Sequence, residues 1–341
     1  RGAMLQAPRK PPMPSTRRAF NQFLCGTAAL WAATGQAQSS PTPWPSKAVR
    51  LVVPYPAGGV LDGVARALAE RLALALGQPV IVDNRASAGG VMGMDTVAKA
   101  SDGHTLALSA ISPLTLLPHL MPVPYDALAD FAPVSTVMYS PVFVVATPAF
   151  SGKRFEDLIA QAKAQPGKLS LATSGVGTVG HIMLEQIKRK AGVDILHIPY
   201  KGGGGQILSD AAGGHFECLT TNASPALANQ VAQGRLRILA ATGPARLAHL
   251  PDTPTLQELG HAQANLTSLF GLFAPARTPP EVVARLNTEI HKILAQKDVQ
   301  DKMLRQDNIP KTSTPAQLAA LLKAESAANA RVIQEAHIRI E

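Results

Sequence analysis

Three short stretches of this 341-residue chain place glycine where backbone chemistry is possible. The first is Pro56-Ala57-Gly58-Gly59-Val60-Leu61-Asp62. The second is Ser174-Gly175-Val176-Gly177-Thr178-Val179-Gly180-His181. The third is Tyr200-Lys201-Gly202-Gly203-Gly204-Gly205. Each follows an apolar, strand-like run and precedes a helix-like one. A helix start presents unpaired N–H groups and a partial positive charge. Glycine lets an oxyanion approach that backbone closely. In open α/β sheets such turns collect at the carboxyl ends of strands, where ligands bind. Together they suggest an anion held largely by main chain; a tight turn with no further role is the alternative for any one of them.

The second stretch also matches G-x-G-x-x-G at Gly175, Gly177 and Gly180, a dinucleotide fingerprint. That fingerprint needs an acid at the end of the following strand to hold a ribose hydroxyl. Here that strand ends in Tyr200-Lys201, and Asp194 stands at its other end. The four-glycine run is followed by no Gly-Lys-Ser/Thr, so a phosphate loop is not supported. No G-x-S-x-G elbow, H-E-x-x-H pair or Cys/His ligand cluster occurs. No catalytic residue, metal or cofactor is therefore expected. His181 reads as a cap or supporting group, with ligand contact or acid/base work as alternatives. Asp62 reads as a cap for the helix after Gly59, and Arg85 as loop packing, with a bidentate grip on a carboxylate as its alternative.

The elements that must position these turns follow from apolar spacing. Val49–Val53 is a β-branched run, as in a buried parallel strand. A helix from Asp62 carries Val64, Leu68, Leu72 and Leu76 on one face, with Gly77 as its C-cap. Val80–Val82 completes a βαβ unit, which implies a right-handed crossover in a parallel sheet. Strands are expected at 105–109, 142–147, 169–172, 195–198, 216–220, 238–241 and 270–274, and helices at 180–190 and 206–212. Two more helices follow, one opening at Pro279-Pro280 and one capped by Thr314. The alternation is α/β throughout.

The N-terminus reads as an address. Residues 1–37 contain Arg1, Arg9, Lys10, Arg17 and Arg18 and no acid, so they supply five of the formal net charge of +9. An apolar run from Phe23 to Ala33 follows the arginine pair, then small residues up to Ala37, the layout of an export signal, with a twin-arginine route as one option. Residues 38–46 are Pro-rich and read as a tether. The rest of the chain is only mildly basic, and aromatic residues make up 4% of the whole, which excludes a nucleic-acid footprint. Without the leader, Cys218 stands alone and reads as a buried, inert thiol.

Further stretches, in chain order, carry a resemblance. They are Trp44-Pro45, Pro56-Ala57-Gly58-Gly59 with Asp62 and Ala65-Arg66, Val82-Asp83-Asn84-Arg85 with Ala88-Gly89-Gly90, and Asp102-Gly103-His104-Thr105-Leu106. Next come Tyr125-Asp126 with Asp130-Phe131-Ala132-Pro133-Val134, Gly175-Val176-Gly177-Thr178, and Pro199-Tyr200-Lys201-Gly202-Gly203. Leu250-Pro251-Asp252 with Pro254-Thr255 and Gly271-Leu272-Phe273-Ala274-Pro275 complete the set. Over roughly residues 44–300 the chain resembles the solute receptors of tripartite tricarboxylate transporters, the Bug-type periplasmic binding proteins.

That resemblance implies a two-lobed periplasmic-binding-protein fold (Venus flytrap, type II-like), each lobe a mixed sheet flanked by helices, joined by two hinge strands. Lobe 1 would be 47–145 plus 271–341, and lobe 2 would be 146–270. A small carboxylate (a di- or tricarboxylate or related organic acid) would sit between them. The implied lining is Ala57, Gly58, Gly59, Asp62, Ser109, Ser174, Gly175, Thr178, Tyr200 and Gly202. The implied partners are the membrane subunits of the transporter, with the receptor a periplasmic, non-catalytic monomer. A receptor for a membrane sensor kinase, and a dinucleotide-dependent enzyme, are the competing readings. Two positions depart from the family pattern: Gly205, where a proline is usual, and Thr221, where an acid is usual. The second departure disfavours an amino-acid ligand, whose ammonium group that acid would hold.

Overall fold

The computed structural model describes residues 43–200, 205–336 and 338. The expected export signal, most of the expected tether and Gly202 lie outside them. The described end of the tether packs down: Pro45 is buried and the Ser46 N–H donates to His104 Nε2 at 3.1 Å.

The chain first lays down β1 (Val49–Val53), helix α1 (Val60–Leu76), β2 (Val80–Asn84), helix α2 (Val91–Ala98) and β3 (Thr105–Ala110). A single helical turn, α3 (Ser112–Thr115), leads to β4 (Phe131–Ser140). After Pro141 come β5 (Val142–Ala146), α4 (Phe155–Ala164), β6 (Ser170–Thr173), α5 (Val179–Ala191), β7 (Leu196–Pro199) and α6 (Gly205–Ala212). Then follow β8 (Cys218–Asn222), α7 (Pro225–Ala232) and β9 (Arg237–Ala241). The chain returns through β10 (Ser268–Pro275) to α8 (Pro280–Leu294), α9 (Lys297–Leu304), β11 (Ile309–Pro310) and α10 (Pro315–Ala336).

These strands form two mixed sheets, ordered β11-β4-β10-β3-β1-β2 and β7-β6-β8-β5-β9. In the first, β1 runs parallel to β2 and β3, and β10 is antiparallel to β3 and β4. In the second, β6 runs parallel to β7 and β8, and β5 is antiparallel to β8 and β9. Each sheet is the centre of one lobe. The chain passes between them at Pro141 and again just before Ser268. The expected first division at 145 falls inside β5, all of which belongs to the second sheet.

Burial explains the strand compositions. β5 is buried along its whole length because helices cover both faces of its sheet. Val142, Val144 and Ala146 join a cluster with Phe155, Met183 and Cys218, while Phe143 and Val145 join Ile207, Leu219 and Leu227 on the other face. In the first lobe Val52, Met94, Ala107, Phe273, Leu318 and Leu322 share one core. Fully burying such an aliphatic side chain contributes about 2 kcal/mol. Helix α1 begins at Val60, two residues before the expected start, with Gly59 as its N-cap. It stops at Gly77, whose φ of 70° is the left-handed value a C-cap requires.

The long strand β4 was not among the expected elements, and Pro133 explains why: a proline inside a strand argues against one. It is accommodated because β11 pairs only with Met138 and Tyr139, leaving that edge of β4 open at Pro133. Two bulges against β10 leave Val134 and Val137 without strand partners. Their carbonyls are satisfied elsewhere, Val134 by Asn287 Nδ2 at 2.8 Å and Val137 by the Lys311 N–H at 3.0 Å.

Candidate functional site

The three glycine turns meet. Gly58 and Gly59 from the first, Ser174, Thr178 and Gly180 from the second, and Gly205 from the described end of the third line one cleft between the lobes. Counted out to its solvent-open mouth, the cleft encloses about 950 Å³. Four helices of two turns or more begin at its wall: α1 after Gly59, α5 after Thr178, α6 at Gly205 and α7 after Ser224. Each start brings first-turn N–H groups and the positive end of a helix dipole. No Lys, Arg, Asp or Glu occurs among the described lining residues. A negative charge in this cleft would therefore be met by oriented amides and hydroxyls.

The first turn is built around two residues. Gly58 has φ of 79°, a conformation that strains any other L-residue. Its N–H donates to Asp62 Oδ2 at 3.0 Å, and Arg66 Nε donates to the same oxygen at 3.1 Å. Burial would raise the Asp62 pKa, but the Gly58 N–H, Arg66 and Asn84 outweigh it and hold the carboxyl below its ordinary value. Asp62 thus sits behind the turn and fixes it through the Gly58 N–H, not by capping the helix at Gly59 as expected, and it is not part of the cleft wall. Ala57 is exposed beside it and also lies off the wall.

The second turn is held by a chain of hydroxyls. Thr178 is the N-cap of α5: its Oγ1 accepts from the His181 N–H at 3.4 Å and donates to the Gly175 carbonyl at 2.8 Å. The Gly175 N–H donates to Thr173 Oγ1 at 3.2 Å, and His197 Nε2 lies 2.8 Å from that same hydroxyl. Gly175 is buried inside this network and does not line the cleft. The His181 ring stacks on His197 with centroids 4.5 Å apart, and its Nδ1 accepts from the Gly177 N–H at 3.3 Å. Burial above all pushes both imidazoles down to about 4, so both are neutral near pH 7. His181 is a support for the turn, away from the cleft wall.

Other expected residues fall outside the wall. Ser109 is fully buried behind Tyr55, which takes the lining place; burial raises the Tyr55 pKa to about 12, with bonds to Ser109 and the Ala110 backbone partly opposing. The Tyr200 hydroxyl donates to Asp210 Oδ2 at 2.6 Å. Arg85 pairs with Asp83 at 3.0 Å, consistent with loop packing. Cys218 is buried, and burial raises its thiol pKa well above the ordinary value, as an inert thiol requires.

The wall also contains residues the motif reading did not reach: Thr220 and Asn222 at the end of β8, Ser224, and Phe270. Ser224-Pro225 was the available signal for the last helix start, since an N-cap serine followed by proline opens helices. Ser224 Oγ does accept from the Leu227 N–H at 3.2 Å.

Glycine also sets how closely the lobes approach. A Cβ on Gly177 would lie 2.1 Å from Leu117 Cδ2, and one on Gly89 would lie 2.6 Å from Leu117 Cδ1 and 3.1 Å from the Val176 carbonyl. Leu116 of the first lobe packs with Ile182 of the second and with Ile333 near the end of α10. His249 and Asp307 add a polar contact at 3.4 Å.

The pattern of the tripartite tricarboxylate transporter family receptor matches residues 64–338. The chain belongs to this receptor family. It is 37% identical over 301 residues to the protein BugT of Bordetella pertussis, covering 87% of this chain and 92% of that one. Its fold matches the periplasmic binding protein BugD with a TM-score of 0.81 at 29% identity, covering 87% of this chain and all of BugD. An R. palustris structure with adipate matches at the same TM-score with 31% identity, covering 87% of this chain and 99% of that one. As in these receptors, the fold is the two-lobed one of periplasmic binding proteins. Among the described residues no group of three or more His, Cys, Asp or Glu is placed to hold a metal, and no helix is long and apolar enough to cross a membrane.

Proposed function

We propose that this receptor works in the periplasm, captures a small carboxylate between its lobes without transforming it, and delivers it to the membrane subunits of a tripartite transporter. One observation carries the reading: four helix N-termini, drawn from both lobes, converge on a single cleft whose described wall has no charged side chain. Such a site matches an ionised acid and offers no general acid, base or nucleophile in catalytic array. The solved relative with adipate supports the ligand class. On this reading Gly58, Gly59, Ser174 and Thr178 touch the ligand. Asp62, Ser109 and Gly175 hold those groups in place.

Thermal melting of the purified chain against a panel of small carboxylates tests capture. A ligand at 100 times its Kd adds ~2.7 kcal/mol of stability. A panel with no upward shift counts against the reading. Delivery is tested by uptake into vesicles containing the membrane subunits, which should need the loaded receptor. Uptake of equal rate without the receptor would remove the delivery step while leaving capture intact.

A further inference from the structure

Thr220 stands on β8 with 1% of its surface exposed, and it lines the cleft. Its hydroxyl has no hydrogen-bond partner within the chain. Leaving a buried hydroxyl unpaired costs free energy, and a valine of similar shape would avoid that cost. The hydroxyl is also placed with care. A Cβ on Gly180 would lie 2.2 Å from Thr220 Oγ1, so only glycine in the first turn of α5 lets the oxygen stand against that helix start. The unpaired hydroxyl therefore stands beside the first turn of α5, whose start lies at the cleft wall.

The remaining wall sets hydrocarbon from Leu61, Val142, Leu208, Ala226 and Phe270 beside uncharged hydroxyl and amide side chains such as Ser174, Asn222 and Ser268. No carboxylate side chain is among the described lining residues, and Asp62 is turned to the Gly58 N–H and Arg66. An ammonium group here would lose its hydration, find no anionic partner and face the positive ends of four helices.

We infer that the ligand is an organic acid with a hydrocarbon, amine-free body, and that one of its carboxylates accepts a hydrogen bond from Thr220 beside the α5 N-terminus. This rests on the receptor reading above. Thr220 then discriminates between ligands through a group whose stability cost is recovered only on binding.

Titration calorimetry on the purified chain tests it with two pairs of probes, adipate with 2-aminoadipate and phenylacetate with phenylglycine, and with citrate. At least one amine-free member of a pair should bind, at least about 10-fold tighter than its amine-bearing counterpart. Thr220→Val should weaken the tightest probe by about 10- to 100-fold, as loss of a hydrogen bond to a charged group does. Its unliganded melting temperature should be unchanged or higher, and Thr220→Ser should restore binding. Equal binding of an amine-bearing counterpart, or citrate as the sole binder, overturns the ligand class and leaves the receptor standing. Parental affinity in Thr220→Val overturns the contact. No heat with any of the five probes removes the ligand inference, and a flat melting panel besides would remove the receptor reading with it.

Discussion

Asn222 and Pro141 are joined by a hydrogen bond of 3.0 Å from the Asn222 side-chain amide to the Pro141 carbonyl, at the point where the chain first leaves one sheet for the other. The other end of the same amide accepts from Ser268 Oγ at 3.4 Å, at the second crossing. Asn222 also lines the cleft. One side chain therefore touches both connections between the lobes and the space between them.

Asn222→Ala should lower stability by about 1–2 kcal/mol, the usual cost of stranding a buried carbonyl. It should also alter the spread of lobe angles. Differential scanning calorimetry gives the first quantity and small-angle scattering the second. A variant with parental melting and parental scattering would show that the crossings are set by backbone alone.

Gly177→Ala should fold but close poorly. The new methyl meets Leu117, and φ of 69° adds strain in the left-handed region. Ligand affinity should fall at least 10-fold, measured by calorimetry. Trimming Leu117 to alanine in the same chain should recover part of the loss, so a double-mutant cycle with no coupling speaks against this contact.

Acid should destabilise the second lobe. His181 and His197 titrate near 4 when folded and near the ordinary 6.5 when unfolded. Their folded pKa is the lower one, so the unfolded chain binds more protons between those values and stability falls as pH drops from about 6.5 towards 4. Near pH 7 no such loss operates. For His181, the more buried ring, the full effect is about 3 kcal/mol at most. Melting curves between pH 7.5 and pH 4.5 should slope accordingly, and His181→Gln should flatten the slope. An identical slope in that variant would place the acid sensitivity elsewhere.

Asp307 has φ of 56°, the one non-glycine residue with positive φ among those described. Its partner His249 is largely exposed, so the pair itself is worth little. Asp307→Asn, which tolerates this conformation, should melt within a degree or two of the parent. Asp307→Val should cost about 1–3 kcal/mol through backbone strain. Equal melting of the two variants would mean the backbone relaxes freely there.

How much of this was readable in advance differed by element. β1 was expected at the residues where it lies, because a β-branched run between helix-covered faces has no other stable use. The convergence of the glycine turns followed from their place at strand ends. β4 was hidden because its bulges break the period of two that marks a strand, and because Pro133 is tolerated only where β11 stops short. Ser109 was expected in the wall, but it is fully buried and Tyr55 lines the cleft instead, a choice of facing that residue type alone does not carry. Thr220 carried no motif at all. Only the lack of a partner for its hydroxyl, a property of the folded chain, marks it.

A wall of amide dipoles has one property that a wall of arginines or histidines lacks: it cannot be discharged. Peptide N–H groups do not titrate, so across the range in which an organic acid stays ionised, a change of proton concentration leaves their pull unaltered. On the proposed reading, letting the cargo go is therefore a mechanical event. The grip ends when Leu117 of the first lobe leaves Gly177 of the second and the helix starts of the two lobes move apart.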